Sequence, residues 1–166
     1  DTTGLMVVAK TVEAQTHLVA ALQAREITRE YEAIVMGTMT GGGTVDEPIG
    51  RHPTKRTHMA VHHSGKPAVT HYRVAEKFRN HTRLRLRLES GRTHQIRVHM
   101  EYIGHVLVGD PVYGGRPKPP KWASPEFFDI LKNFKRQALH AVRLELAHPV
   151  SCEIMSWHAP IPEDMV

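Results

Sequence analysis

Thr82-Arg83-Leu84-Arg85-Leu86-Arg87-Leu88-Glu89 is the stretch on which the fold turns. Leucine and arginine alternate there with a period of two, so an extended backbone places the leucines on one face and the guanidinium groups on the other. A helix would scatter the same side chains around its axis. The segment therefore reads as a strand half-buried against a core, with a basic outer face.

Working outward, Ser90-Gly91 breaks the strand and Thr93 is placed to cap a helix from His94 to Ile103. Ile96, Met100 and Ile103 recur on one side of that helix, and Gly104 stops it. Upstream, Ala68–Phe78 reads as a strand, and 46–66, with Pro48 and Pro53, as a long ordered loop or irregular hairpin. Gly41–Gly43 is a flexible turn and Ile27–Gly37, rich in Ile, Val and Tyr, another strand. Glu13–Arg25 has Ala14, Leu18, Ala21 and Leu22 at helical spacing behind Thr11 as N-cap, and Leu5–Ala9 reads as a short buried strand. Downstream, Gly114–Ala123 is a loop, Ser124-Pro125 opens a helix that ends near Lys135, and Leu139–Ala147 and Glu153–Trp157 are strands. No repeat, low-complexity tract or linker interrupts the pattern. Residues 1–166 form one α+β domain with a largely antiparallel mixed sheet flanked by helices.

A length of 166 residues supports one domain with a real core. The net charge of +5 suits an anionic partner, nucleic acid first, against the plainer reading of a mildly basic surface. The single cysteine, Cys152, excludes an internal disulfide and any CxxC metal or redox pair, which fits a reducing, cytoplasmic setting. The longest apolar run, Leu5–Ala9, is too short to cross a bilayer, so no membrane partner is expected.

Three groups of residues have chemical potential. Arg92-Thr93-His94-Gln95-Ile96-Arg97-Val98-His99 sits at a strand-to-helix junction, where free N–H groups and forked arginines suit an anion. An isolated pattern of this kind is more often a solvated amphipathic helix. The loop Arg51-His52-Pro53-Thr54-Lys55-Arg56-Thr57-His58 suits backbone contacts to nucleic acid, or is simply a surface loop. His58, His62 and His63 invite a metal reading, but the spacing matches no known zinc pattern and there is no cysteine partner, so no metal is expected. Two histidines also make a ribonuclease-like acid/base pair, and nothing in the spacing selects which two. Tyr31, in an otherwise aliphatic strand, is core unless it faces a cleft.

Five segments together resemble the RluA-type RNA pseudouridine synthases. Thr2-Thr3-Gly4-Leu5 is similar to the end of their HRLD-x-x-Thr-(Ser/Thr)-Gly-Leu motif, and Glu30-Tyr31-Glu32-Ala33-Ile34-Val35 to their tyrosine motif. Ser90-Gly91-Arg92-Thr93-His94-Gln95-Ile96-Arg97-Val98-His99 is close to their GRTHQIRVH signature. Leu107-Val108-Gly109-Asp110-Pro111-Val112-Tyr113-Gly114 and Arg136-Gln137-Ala138-Leu139-His140-Ala141 match two more, all in family order. One departure is Val106 after His105, where the family usually has proline.

The resemblance implies isomerisation of specific uridines to pseudouridine in large-subunit ribosomal RNA, by base flipping and rearrangement of the glycosidic bond, without metal or organic cofactor. It assigns Tyr31 to stacking on the target base and proton transfer, Arg97 to pairing with the catalytic Asp, and Leu139 to packing beneath the site. Arg51, Arg56, Arg92, His94 and Arg136 are the candidate RNA contacts, and a monomer is expected. The alternatives are a non-catalytic RNA-binding fragment or paralogue, distinguished by whether an HRLD segment precedes Thr2, and a histidine-dependent ribonuclease, distinguished by cleavage products. By the motif spacing the catalytic Asp lies two positions before residue 1, and Asp1 holds one of the variable positions between it and Thr2. The 166-residue chain by itself is accordingly expected to form no pseudouridine. Incubation with unmodified large-subunit RNA, followed by carbodiimide-blocked primer extension, checks this; a robust new stop contradicts it.

Overall fold

The computed structural model describes residues 1–115 and 122–166, so the loop reading of 116–121 lies outside the described residues. The strands are β1 (Thr3–Gly4), β2 (Thr28–Met36), β3 (Gly43–Asp46), β4 (Ile49–Arg51), β5 (Met59–Val61), β6 (Val69–Lys77), β7 (His81–Leu88), β8 (Leu139–Ala147) and β9 (Ile154–His158). The helices are α1 (Val12–Gln23), α2 (Gln95–Tyr102) and α3 (Pro125–Asn133). The main sheet runs β1-β8-β2-β7-β6-β3, with β9 also on β8, while β4 and β5 form a separate hairpin. Among the described residues only the β1–β8 pairing is parallel. The α+β, largely antiparallel reading is therefore the observed one.

The alternation in β7 does what its period requires. Leu84 and Leu86 are fully buried against Ala33 and Val35 of β2, Ile96 and Met100 of α2, Leu107 and Leu139. Leu88 is half-buried at the margin of the same cluster. The opposite face is not the free basic surface the sequence suggests. β2 lies beside β7 with Glu30 and Glu32 across from Arg87 and Arg85. Arg85 bonds Glu30 at 2.6 Å and Glu32 at 3.2 Å, and Arg83 lies 3.6 Å from Glu32 and 3.4 Å from Glu76. Strand neighbours supply the carboxylates, and their register is not visible in β7 itself.

Leu5–Ala9 is not a buried strand. Only Thr3 and Gly4 pair with β8, Leu5 N–H donates to the Ala141 carbonyl at 3.0 Å, and the chain then leaves the edge. The reason is competition: β9 occupies the same edge of β8 from Arg143 onward, and Ala159 already takes the Val142 carbonyl. Leu5 and Ala9 tuck against Leu18 and Ala21 of α1, while Met6 is 83% and Val8 69% exposed. α1 keeps its Thr11 cap, and Leu18 and Ala21 face inward, but Leu22 is exposed. Gly4 has a φ of +98°, and a Cβ there would lie 2.2 Å from the Ala141 carbonyl oxygen, so only glycine allows this close approach of β1 to β8.

Leu84→Ala should destabilise the fold by about 2–5 kcal/mol, because the fully buried site cannot collapse around the void. Arg87→Ala, on the exposed side of the same strand, should stay within about 0.5 kcal/mol. Urea denaturation of both variants measures the contrast.

Candidate active site

The signature segment between β7 and α2 folds around one glutamine. Gln95 is buried, and its amide nitrogen donates to the Val69 carbonyl at 2.9 Å and the Thr70 hydroxyl at 3.0 Å. Its amide oxygen accepts from the Ser90 hydroxyl at 2.9 Å and the Arg92 N–H at 3.0 Å. The two donated bonds tie the turn to β6, and the two accepted ones close the turn on itself. Thr93 does not cap α2; the N-cap is His94, with φ +56° and no side-chain capping bond. A left-handed residue that is not glycine costs on the order of 1 kcal/mol, and such strain concentrates where side chains must be aimed.

α2 is also not a solvated amphipathic helix: every residue from Gln95 to Met100 is buried. Ile96 and Met100 enter the sheet core, and Val98 packs with Ile49, Ala68 and Tyr113 beneath the β4–β5 hairpin. His99 Nε2 donates to the Glu47 carbonyl at 2.9 Å, and Nδ1 takes the Thr70 hydroxyl at 2.7 Å. Burial lowers its pKa, which keeps the ring neutral.

Arg97 makes a two-point fork with Asp110: Nε to Oδ2 at 2.7 Å and Nη2 to Oδ1 at 2.9 Å. Asp110 is wholly buried and also accepts the N–H groups of Val112 at 2.9 Å and Tyr113 at 3.0 Å. Burial alone would raise its pKa, but the Arg97 fork and the two backbone N–H groups outweigh it and hold the carboxyl below its ordinary range. The Arg97 guanidinium also lies 5.0 Å over the Tyr113 ring. Tyr113 hydroxyl accepts the Met59 N–H at 2.9 Å and shares a 2.9 Å bond with His94 Nδ1, so one tyrosine joins the helix start to the hairpin.

Tyr31, Arg97 and Leu139 line one cleft of about 640 Å³, together with Arg92, His94 and Gln137. Asp1, Thr2, Thr3 and Gly4 form another part of its wall, because β1 pairs with His140 and Ala141 directly after Leu139. Thr3 is fixed there by a 2.9 Å bond to His140, and Gln137 donates to the Thr2 hydroxyl at 3.3 Å. Tyr31 makes no hydrogen bond through its hydroxyl among the described residues, and burial raises its pKa, so it is a neutral phenol facing the cleft. A second cavity of about 380 Å³ under α3 is apolar and contains none of these residues.

Arg51 and Arg56 belong to the hairpin region and do not line the cleft. Arg136 is also elsewhere: its guanidinium is held by Asp164, with Nη2 to Oδ1 at 2.7 Å, above the Phe134 ring. His62 and His63 stack at 4.4 Å, and His58 bonds the Val112 carbonyl; no group of three or more metal-ligating residues occurs among the described residues. His94 is the one histidine among them that lines the cleft. Asp110, Gln95 and Tyr113 were missed by the sequence reading. The 107–114 motif contained two of them, but its distance in sequence from Arg97 concealed the pairing.

Arg97→Met should cost about 3–5 kcal/mol, because it leaves the buried Asp110 carboxylate without its partner. Since the folded state holds Asp110 below its ordinary pKa, the stability it contributes is full above the unfolded-state value and is lost as pH falls through the folded-state one. Asp110→Asn should flatten that acid limb while lowering stability at neutral pH. Urea midpoints measured from pH 7 downward test both expectations.

The RNA pseudouridylate synthase family model matches residues 1–102. The ribosomal large subunit pseudouridine synthase D of Escherichia coli (strain K12) is 75% identical over all of this chain, which covers 51% of that protein. The protein of the same name from Pasteurella multocida (strain Pm70) is 70% identical over the same span. The chain thus spans about half the length of the relatives it matches. Among solved structures, human RNA pseudouridylate synthase domain containing 1 superposes with a TM-score of 0.68 at 27% identity, over 92% of this chain and 62% of that one. Human RNA pseudouridylate synthase domain containing 4 shares the fold, with a TM-score of 0.71 at 22% identity over 96% of this chain and 67% of its own. The matched span takes in Tyr31, Arg92, His94 and Arg97, and the chain belongs to the RNA pseudouridylate synthase family.

Proposed function

We propose that the cleft isomerises specific uridines of large-subunit ribosomal RNA to pseudouridine, in a protein that carries the family's HRLD segment upstream of Thr2. The observation that carries this reading is a juxtaposition: Thr2 and Thr3 open into the same cleft as Tyr31, Arg97 and Leu139. An aspartate placed by the motif spacing therefore enters beside the tyrosine and the arginine. The uridine must leave its stack to be reached, at a cost of a few kcal/mol that contacts in the pocket offset. A cleft of about 640 Å³ is of a size to take one flipped nucleotide.

In this reading the Tyr31 ring stacks on the flipped base. The upstream aspartate is the nucleophile or its equivalent while the N1–C1′ bond breaks. The base turns and rejoins the sugar through C5, which gives up its proton as N1 gains one. Burial keeps the Tyr31 hydroxyl protonated, so it takes the C5 proton only as it passes its own proton on toward N1. Arg97 already spends the Nε N–H and one Nη2 N–H on Asp110, so any pairing with the catalytic carboxylate falls to the three remaining N–H groups of Nη1 and Nη2. Asp110 then acts as the group that aims Arg97, and Leu139 forms the apolar floor. Arg92 and His94 at the cleft are the RNA contacts nearest the chemistry, with Arg51 and Arg56 contributing from the hairpin side. Arg136 takes that role only by exchanging Asp164 for a phosphate. No metal or organic cofactor enters these steps, and the protein acts as a cytoplasmic monomer.

Tyr31→Phe, in a chain extended upstream to include HRLD, keeps the ring and removes only the hydroxyl. RNA binding should persist, since stacking contributes about 1–3 kcal/mol per base. Turnover should fall by roughly 100-fold or more, the scale of a lost acid/base group. Single-turnover kinetics beside filter binding test this; near-normal turnover would make Tyr31 a stacking platform only.

A further inference from the structure

Two residues before Tyr31 lies an arginine that the roles above leave unused. The period of β2 puts Arg29 on the same face as Tyr31, Ala33 and Val35. Its side chain forms part of the wall between the cleft and an adjoining hollow of about 370 Å³. The guanidinium lies directly over Gly91, where an added Cβ would come within 2.4 Å of Nη1. Gly91 in the signature thus gives this side chain its room.

Arg29 has no charge partner among the described residues. Its Nε is buried without a hydrogen-bond acceptor, and neither a hydrogen bond nor an ion pair involves it among the described residues. The carboxylate that lines the hollow, Glu89, has both oxygens occupied, one by Arg25 at 2.9 Å and the other by His71 at 2.7 Å. Arg83, Arg85, Arg97, Arg136 and Arg143 all meet carboxylates, while Arg92, also part-buried, is held through its Nε by the Pro67 carbonyl. A desolvated guanidinium without an anion is costly, so the folded chain keeps an unfilled demand for negative charge beside the candidate active site.

We propose that Arg29 seats an RNA phosphodiester next to the target nucleotide, holding the backbone while the base is out of the stack. A phosphodiester offers two oxygens to a planar fork, and RNA brings one to each nucleotide that crosses the cleft. Arg92, across Gly91 and lining both concavities, marks the line the strand takes from hollow to cleft. The inference rests on the RNA-modifying reading of the cleft and adds to it a backbone site.

The test uses the chain extended upstream through HRLD and a stem-loop of large-subunit RNA. Arg29→Gln should weaken binding about ten-fold, as loss of one charge-assisted bond does. It should also make the slope of log affinity against log salt shallower by about 0.7–0.9. The melting temperature of the RNA-free protein should hold or rise, because an unpaired charge has been removed. Gly91→Ala should displace the guanidinium with its charge intact and weaken binding too; it carries the test alone if Arg29→Gln does not fold. A single neutral methylphosphonate beside the target uridine should weaken the wild type and have no further effect on Arg29→Gln. Arg83→Gln, on the opposite face, should leave the slope unchanged. An unchanged slope for Arg29→Gln with additive methylphosphonate effects at every position overturns the proposal. So does a fall in melting temperature with the slope unchanged, which would give Arg29 a carboxylate of the protein itself. These outcomes with a wild type that forms pseudouridine sink this inference alone. A wild type that forms none sinks the proposed function instead.

Discussion

The buried fork between Arg97 and Asp110 is the constraint on which the rest of the site depends. It joins the middle of α2 to the turn at 110–113, and the two backbone N–H groups that Asp110 accepts fold that turn around the carboxylate. The turn in turn places Tyr113, whose ring lies under the guanidinium and whose hydroxyl reaches both His94 and the hairpin. A buried ion pair is weak evidence for net stability, because desolvation offsets most of the attraction. Its value here is geometric. Two parallel bonds fix a long side chain in one rotamer at the cleft wall, which a single-point ammonium cannot do.

The two faces of the sheet handle charge differently. On the outer face, Arg83, Arg85 and Arg143 are matched by Glu30, Glu32, Glu76 and Glu145, while the exposed Arg73 and Arg87 have no ion pair among the described residues. Partly exposed pairs of this kind are each worth little in stability, but they neutralise part of that surface. On the cleft side, Arg29 and Arg92 have no carboxylate partner among the described residues. The net charge of +5 therefore says less about RNA than where the unmatched arginines lie.

Local rules are broken at the cleft as well as elsewhere, where Arg25 and Cys152 are also left-handed and Glu32, His81, Arg83 and Arg85 also bury an unsatisfied atom. His94 takes a left-handed backbone conformation, Arg29 buries an unsatisfied nitrogen, and β8 carries one extra residue opposite the Glu30–Tyr31 step. The core between them obeys every rule: Leu84, Leu86, Met100 and Leu107 are apolar, close-packed and fully buried. A well-satisfied scaffold is what lets strained and unpaired groups persist at a functional surface.

The sequence by itself determined the family and most of the elements, though not a strand at Leu5–Ala9 or the cap of α2. The period of β7, the Thr11 and Ser124 caps and the Gly104 stop depend on neighbours within a few residues, and each is found as read. Tyr31, Arg92, His94, Arg97 and Leu139 were legible through motifs, and they meet in one cleft. Only the tertiary structure decided what each charge faces. Arg97 finds Asp110 thirteen residues on, Arg85 finds Glu30 fifty-five residues back, and Arg136 finds Asp164, none of which periodicity encodes. The fate of Leu5–Ala9 was likewise tertiary, because an apolar run becomes a strand only where an edge is free, and β9 had taken that edge. Local chemistry sets what a segment is able to form; pairing and burial are settled by segments distant in the chain, because hydrogen-bond partners and counter-charges are exhausted by whichever element reaches them.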